Sequence, residues 1–315
     1  MRILITGASG FVGSHLARAL VARGEDVHIV LRNNSRTWRI DEILPRLSVH
    51  RADLTDREEV RRVAAEFKPE IIYHFANAGV YGGISSDFRE LFTVNTIGLL
   101  NLLESFSGYR AFINVGSSSE YGLKEEPMRE SDRCEPMNFY GVSKLAATLI
   151  ASLEARLKNS PIATFRLFSP YGPFDDGRRL IARAILACVS REPFNLPHPR
   201  AVRDYIFIDD VVDFLAAAPE GVANKKGEVF NLGSGKENHA ADVVSLIAKK
   251  MGAGDFVAKL RSSDELGPSE SPRWQADMEK TFSAFASRPA HDLENGLART
   301  IEWFMRNKDL YPNLS

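Results

Sequence analysis

The sequence predicts an α/β fold of the doubly wound kind, a parallel sheet covered by helices on both faces, with a smaller C-terminal lobe. Three observations carry this expectation. Short apolar runs at residues 2–5, 26–31, 71–75, 111–115 and 162–168 alternate with stretches of helical period at 13–23, 57–67, 88–106 and 140–158. The runs are continuously apolar, as strands buried on both faces are, and strands joined through helices run parallel with right-handed crossovers. The first run ends in a cluster of glycines. After Pro170 the alternation stops, and prolines and turn residues gather at 170–173 and 193–199, the texture of a lobe built over strand ends. Residues 1–169 are therefore expected to form the first domain, with 203–235 returning to it through 203–215 and the strand-like 228–232. Residues 170–202 and 236–315 are expected to form the lobe.

With 315 residues, 44% hydrophobic and 26% charged, the chain can bury one large core or two joined ones. A formal net charge of −1 and a pI near 6.7 leave no basic footprint for nucleic acid and no patch for a membrane surface. A small-molecule partner is expected. The two cysteines, Cys134 and Cys188, stand in no CxxC or Cys/His spacing, and neither HExxH nor a carboxylate cluster occurs, so no metal site is expected. The opening MRILITGASG breaks into glycines after a handful of apolar residues, too soon for a signal-peptide core or a span, which predicts a cytoplasmic protein.

The first strand runs into Gly7-Ala8-Ser9-Gly10-Phe11-Val12-Gly13, where a helical pattern begins. Glycines let a backbone turn sharply and approach a pyrophosphate, whose charge is met by the N–H groups of a helix N-terminus. Gly7, Ser9, Gly10, Phe11, Val12 and Gly13 are thus candidate contacts of a dinucleotide, in the manner of a Rossmann-type sheet. His15, in the first turn of that helix, reads as packing.

The chemistry lies further along. Tyr140-Gly141-Val142-Ser143-Lys144 places a phenol and an ammonium one helical turn apart on one face. A cationic neighbour lowers the phenol from its reference of about 10 towards neutrality, so that it can shuttle a proton. Gly116-Ser117-Ser118-Ser119-Glu120-Tyr121-Gly122 follows the strand ending at Val115. Hydroxyls at the C-terminal end of a parallel strand face the ligand crevice, where a serine can bond the oxygen that Tyr140 protonates.

The GxxGxxG spacing, the serine cluster and the Tyr140–Lys144 pair together resemble the extended short-chain dehydrogenase/reductase family, in its nucleotide-sugar epimerase/dehydratase branch. The resemblance extends over nearly the whole chain, through Arg166-Leu167-Phe168-Ser169-Pro170-Tyr171-Gly172 and Arg203-Asp204-Tyr205. It implies a catalytic set of Tyr140, Lys144 and Ser117, counted back from Tyr121, with Ser118 as the alternative to Ser117. At the end of the second strand, NAD-using members carry an Asp for the ribose hydroxyls. Leu31 stands there in this chain, and Arg32, Asn33, Ser35 and Arg36 offer donors to a 2′-phosphate, so NADP(H) is expected ahead of NAD(H). Asp53 and Leu54 match the adenine contact. Phe75, Ala76 and Asn77 match the segment lining the cofactor, Asn77 replacing a smaller residue. Asn95 matches a structural asparagine on the following helix and is counted with the cofactor set, which Val115 and Phe168 complete.

On the substrate side the resemblance implies Tyr81, Ser118, Ser119, Ser169, Arg179 and Arg203, the last approaching a sugar nucleotide's diphosphate. Two positions depart from the pattern. Ser169 stands where epimerases often carry Asn, and the Arg usually found upstream of Ala276-Asp277 has no counterpart, Arg273 lying too close. Three reactions fit, namely 4-ketoreduction, 4-epimerisation and 4,6-dehydration of a nucleotide-linked sugar. Dehydratases need an Asp-Glu pair after the catalytic hydroxyl residue, where this chain has Ser118-Ser119. The cofactor reading and the GSSSEYG motif, similar to that of GDP-4-keto-6-deoxymannose reductases, favour NADPH-dependent reduction of a 4-keto-6-deoxysugar. A non-catalytic, NADP-sensing member would usually lack the Tyr or Lys. The helices 88–106 and 140–158 are expected to form a homodimer interface, as their equivalents do in the family.

Overall fold

The computed structural model describes residues 1–79, 87–191, 195–196, 198–253 and 272–311. Its strands are β1 (Arg2–Thr6), β2 (Asp26–Leu31), β3 (Ser48–Arg51), β4 (Ile71–His74), β5 (Ala111–Ser117), β6 (Ile162–Leu167), β7 (Ser169–Tyr171), β8 (Val202–Arg203), β9 (Tyr205–Phe207), β10 (Val229–Leu232), β11 (Asn238–His239) and β12 (Arg273–Trp274). Seven of them form one parallel sheet in the order β10-β6-β5-β4-β1-β2-β3. The order reverses beside β1, where a doubly wound sheet opens a crevice at its strand ends.

The continuous apolar runs follow from burial on both faces. Ile3, Ile5, Ile29, Tyr73 and Ile113 pack with Leu16 and Leu20 of α1 (Phe11–Ala22) on one side. Their neighbours Leu4, Val30, Ile72 and Phe112 pack on the other with Val60 and Val63 of α2 (Arg57–Glu66). The edge strand β3 escaped the sequence reading because its SVHR is almost wholly exposed. Backbone pairing with β2, from His28↔Ser48 to Leu31↔Arg51, makes it a strand.

The expected helix 88–106 is interrupted. Asp87 caps α3 (Phe88–Phe92), a π turn covers Thr93–Ile97, and α4 (Gly98–Ser105) continues. Such a turn inserts a residue into the helical ladder and is frequent at functional sites. The long α5 (Phe139–Lys158) starts at Asn138, whose side chain accepts the Gly141 N–H, and ends at Asn159 in the left-handed region (φ 52°).

Beyond β7, the helices α6 (Leu180–Ser190), α7 (Ile208–Ala217), α8 (Pro219–Val222), α9 (Ala240–Lys250), α10 (Glu279–Ala284) and α11 (Leu293–Arg306) surround a second sheet, β11-β8-β12, and the pair β7-β9. The core does not divide at Pro170. Ile181 and Ile185 of α6, Val211 and Leu215 of α7, and Val243 and Ile247 of α9 join the apolar cluster that covers the first face of the main sheet. Among the described residues, no helix is long and apolar enough to cross a membrane.

Candidate active site

The turn after β1 is shaped by close approach. Gly7 has φ +73°, and a Cβ there would fall 2.5 Å from the Ala76 nitrogen. The turn brings Gly10 to the N-terminus of α1, which has no side-chain cap and no acid in its first turn. Its N–H donors are left to a ligand. Ser9, Phe11 and Val12 are half-buried beside it and Gly13 is buried. An uncapped helix start reached by a glycine turn, without a carboxylate to repel phosphate, fits the pyrophosphate of a dinucleotide. His15 packs edge-on against Phe11 and bonds the Pro173 carbonyl at 2.8 Å, and burial lowers it to about 4, so it is neutral packing.

At the end of β2, Leu31 points into the core, while Arg32, Asn33 and Arg36 are exposed and Ser35 half-buried. Ser35 N–H and Arg51 both donate to the Arg32 carbonyl, at 3.1 and 3.0 Å. Arg51 adds a cation there that the sequence reading overlooked, because β3 itself was missed. Asp53 is folded onto its own loop, one oxygen accepting the Thr55 N–H at 2.9 Å and the Thr55 hydroxyl at 2.8 Å. The Leu54 carbonyl accepts from Asn101.

Past β4, Phe75 is buried, Ala76 half-buried and Asn77 exposed. The Asn77 amide donates back to the Phe75 carbonyl at 2.9 Å. Asn95 is engaged within the protein. It is 2% exposed, its Oδ1 accepts the Ala78 N–H at 2.7 Å, and its Nδ2 donates to the Ala78 carbonyl and to the Ser143 hydroxyl at 2.8 Å. It braces the loop after β4 against α5.

Lys144 lies inside, its Nζ donating to the Val115 carbonyl at 2.5 Å. That bond fastens α5 to the end of β5, two residues before Ser117. Burial lowers the ammonium to about 8, against the upward pull of the Glu120 carboxylate. Tyr140 stands half-buried one turn before it. Ser117 and Ser118 are both buried, and Ser119 is half-buried. The Ser117 Oγ accepts the Ser119 N–H at 3.1 Å. One of its two lone pairs is thus occupied, and its O–H can be offered to a ligand oxygen.

Phe168 turns its ring inward. At 1% exposed it packs with Tyr121, Met128, Ala276 and Met278, and its N–H is donated to the Leu232 carbonyl. Only its own carbonyl is left to meet a ligand. Ser169 is half-buried and gives its N–H to the Asp204 carbonyl. Arg179 pairs with the buried Asp175 at 3.1 Å and lies 5.8 Å over the Phe11 ring, so it is engaged beside the start of α1. Arg203, on β8, lies 4.9 Å over the Trp274 ring. Tyr81 lies outside the described residues.

Asp204 was missed as an anchor. Fully buried, it accepts from the Ser234 N–H and hydroxyl, the Gly235 N–H and the Ala276 N–H, at 2.6–3.1 Å. It ties the end of β10 to the segment after β12. An acid inside the run Val202–Phe207 was the signal available for it.

A glycine turn at a helix start, a buried lysine one turn from a tyrosine, and a serine at the adjoining strand end define the class: a Rossmann-type enzyme built for nicotinamide chemistry. Residues 3–233 match the model of the NAD dependent epimerase/dehydratase family, and the chain belongs to that family. It is 28% identical to a probable UDP-glucuronate 4-epimerase of Rhizobium meliloti, over 98% of both chains. It is similar to the structure of UDP-glucuronic acid 4-epimerase from Bacillus cereus in complex with UDP-glucuronic acid and NAD, with 27% identity, TM-score 0.84, and 99% and 100% of the two chains covered. It also resembles dTDP-glucose 4,6-dehydratase from Bacillus anthracis in complex with NAD, with 22% identity, TM-score 0.86 and both chains wholly covered, which bears on the fold alone. The expected family is the one found. These relatives are epimerases and a dehydratase, whereas the sequence reading put reduction first.

Proposed function

We propose that the protein epimerises a nucleotide-linked sugar at C4. The observation that carries this reading is the pairing of Tyr140, Lys144 and Ser117 with a carboxylate that is already engaged. Glu120 accepts the Ser117 N–H through one oxygen and the Arg166 guanidinium through the other, both at 2.8 Å. With Ser118-Ser119 at the neighbouring positions, the described residues supply proton transfer to a hydroxyl but no acid–base pair to eliminate water. Full-length similarity to 4-epimerases supports the same choice.

A bound nicotinamide would supply reversible hydride transfer at the sugar carbon, with its pyrophosphate at the start of α1. Tyr140 takes the proton of the hydroxyl as it becomes a carbonyl and returns it afterwards. Lys144 keeps a positive charge beside the phenol, and the Ser117 O–H bonds the same oxygen, which is the place where charge builds in the transition state. Arg203 is suited to the substrate's diphosphate.

A second reading, NADPH-dependent reduction of a 4-keto-6-deoxysugar nucleotide, is favoured by one feature: Leu31 where a diol-holding acid would stand, with Arg32 and Arg36 exposed beside it. One experiment separates the two. The purified protein is denatured, the released nicotinamide identified, and the native protein then given UDP-glucose, UDP-glucuronate and a dTDP-4-keto-6-deoxyhexose with labelled NADPH. Retained nicotinamide and interconversion of two sugars without net redox is the expected result. Label entering the sugar with NADPH consumed in proportion would replace epimerisation by reduction.

The assembly belongs to the same proposal. Phe139, Leu149, Leu153 and Leu157 form an exposed apolar stripe along α5, with Leu157 74% exposed. Phe88 of α3 extends it, its ring 4.9 Å from Phe139. A homodimer would cover this face.

A further inference from the structure

Glu120 is fully buried, and both its oxygens are assigned. Arg166, opposite Gly116 in the β5–β6 register, holds it from the neighbouring strand and lies 4.4 Å over the Tyr121 ring. The Tyr121 hydroxyl is fixed in turn by Asn231 at 2.7 Å. Gly116 completes the arrangement, since a Cβ there would come 2.6 Å from Glu120 Oε1. A buried ion pair is weak as a source of stability, its desolvation largely cancelling its attraction. Here one end of the pair grips the N–H of Ser117, whose Oγ is held at the same time by the Ser119 N–H, a reciprocal cap on the turn Ser118–Glu120. The two bonds together leave Ser117 little freedom of backbone or side chain.

We infer that Glu120 is a positioning residue: held by Arg166 and admitted by Gly116, it fixes the Ser117 backbone and so aims the Ser117 hydroxyl at the reacting oxygen. The inference rests on the role given to Ser117 above. Removing one member of a buried pair strands a charge, so the test replaces both. In Glu120→Leu/Arg166→Met, kcat is expected to fall roughly 10–100-fold with KM nearly unchanged, the scale of a small misplacement of a reacting group. Glu120→Gln/Arg166→Gln, which keeps an acceptor for the Ser117 N–H and a polar partner for it without stranding a charge, is expected to retain most of the activity. The decisive comparison is made in Ser117→Ala, where the paired apolar replacement should change kcat by less than about twofold, because coupled residues are not additive. Amide exchange of Ser117, followed without substrate, should quicken in the paired replacement while β1 and β4 stay protected. If Ser117→Ala slows turnover but the paired replacement leaves kcat and exchange as in the wild type, or slows both backgrounds equally, the positioning role is wrong. If Ser117→Ala itself turns over normally, the assignment of Ser117 fails, and the inference with it.

Discussion

Tyr140 is the residue on which the proposed chemistry depends most directly. Replacing it with Phe removes the proton carrier and leaves the ring, so kcat is expected to drop by about 10²–10⁴-fold, the usual worth of general acid–base catalysis. Nicotinamide affinity, measured by titration, should be almost unaltered, since the phenol is no phosphate ligand. A variant within tenfold of the wild type would remove Tyr140 from the mechanism. Cofactor preference is a second residue-scale matter. If Arg32 meets a 2′-phosphate, Arg32→Asp both deletes a cation and adds a repelling charge. The ratio of NADPH to NADH affinity should then fall by at least about tenfold, roughly 1.4 kcal/mol; an unchanged ratio would mean that Arg32 lies away from the ribose.

Elements were legible in the sequence wherever burial dictated composition. β1, β2, β4, β5 and β6 are apolar on both sides because both faces are covered, and their runs could be read directly. β3 was hidden because an exposed edge strand is held by its ladder with β2, which leaves no apolar signature. The π turn at Thr93–Ile97 was hidden for a related reason, since its side chains keep helical spacing while the ladder slips. In the site, spacing suggested the pairing of Tyr140 with Lys144, while Ser117, with Ser118 as its alternative, rested on the family resemblance. The engagement of Glu120 was not legible, because Arg166 is 46 residues away in sequence and adjacent only through the sheet. Exposure of the α5 stripe is likewise a three-dimensional fact. Leu153→Glu places a charge in its middle and is expected to halve the mass seen by light scattering at micromolar protein, with the melting temperature of the monomer reported alongside. A monomeric wild type would instead make the stripe ordinary surface.

Across the whole molecule, acid sensitivity follows from histidines held neutral in the interior. Burial lowers His15 to about 4 and His74 to about 3, the latter bonded to the Thr6 hydroxyl at 2.8 Å and facing the Lys144 charge. Burial lowers His28 and His50 as well, in the stack those two rings make with Phe67. The unfolded chain, with histidines near 6.5, takes up protons sooner than the folded one, so stability is full above about pH 6.5 and declines as pH falls towards the folded values. Asp175 acts in the opposite sense. Burial raises it to about 6, so between that value and its unfolded one near 3.9 the folded state holds the extra proton and gains stability on acidification. Each buried histidine loses about 1.4 kcal/mol per pH unit once the window is entered, and burial also raises Asp204 and Glu130, which act with Asp175 in the opposite sense. Urea unfolding is expected to give a lower stability at pH 5 than at pH 7, by up to about 2 kcal/mol. His74→Asn, which keeps a polar partner for Thr6 without a titrating ring, should abolish most of that difference, since one such histidine accounts for about 2 kcal/mol over this range. A pH difference left unchanged by His74→Asn would mean that His74 is protonated as readily in the folded protein as in the unfolded chain, and the neutral interior described for it would be wrong.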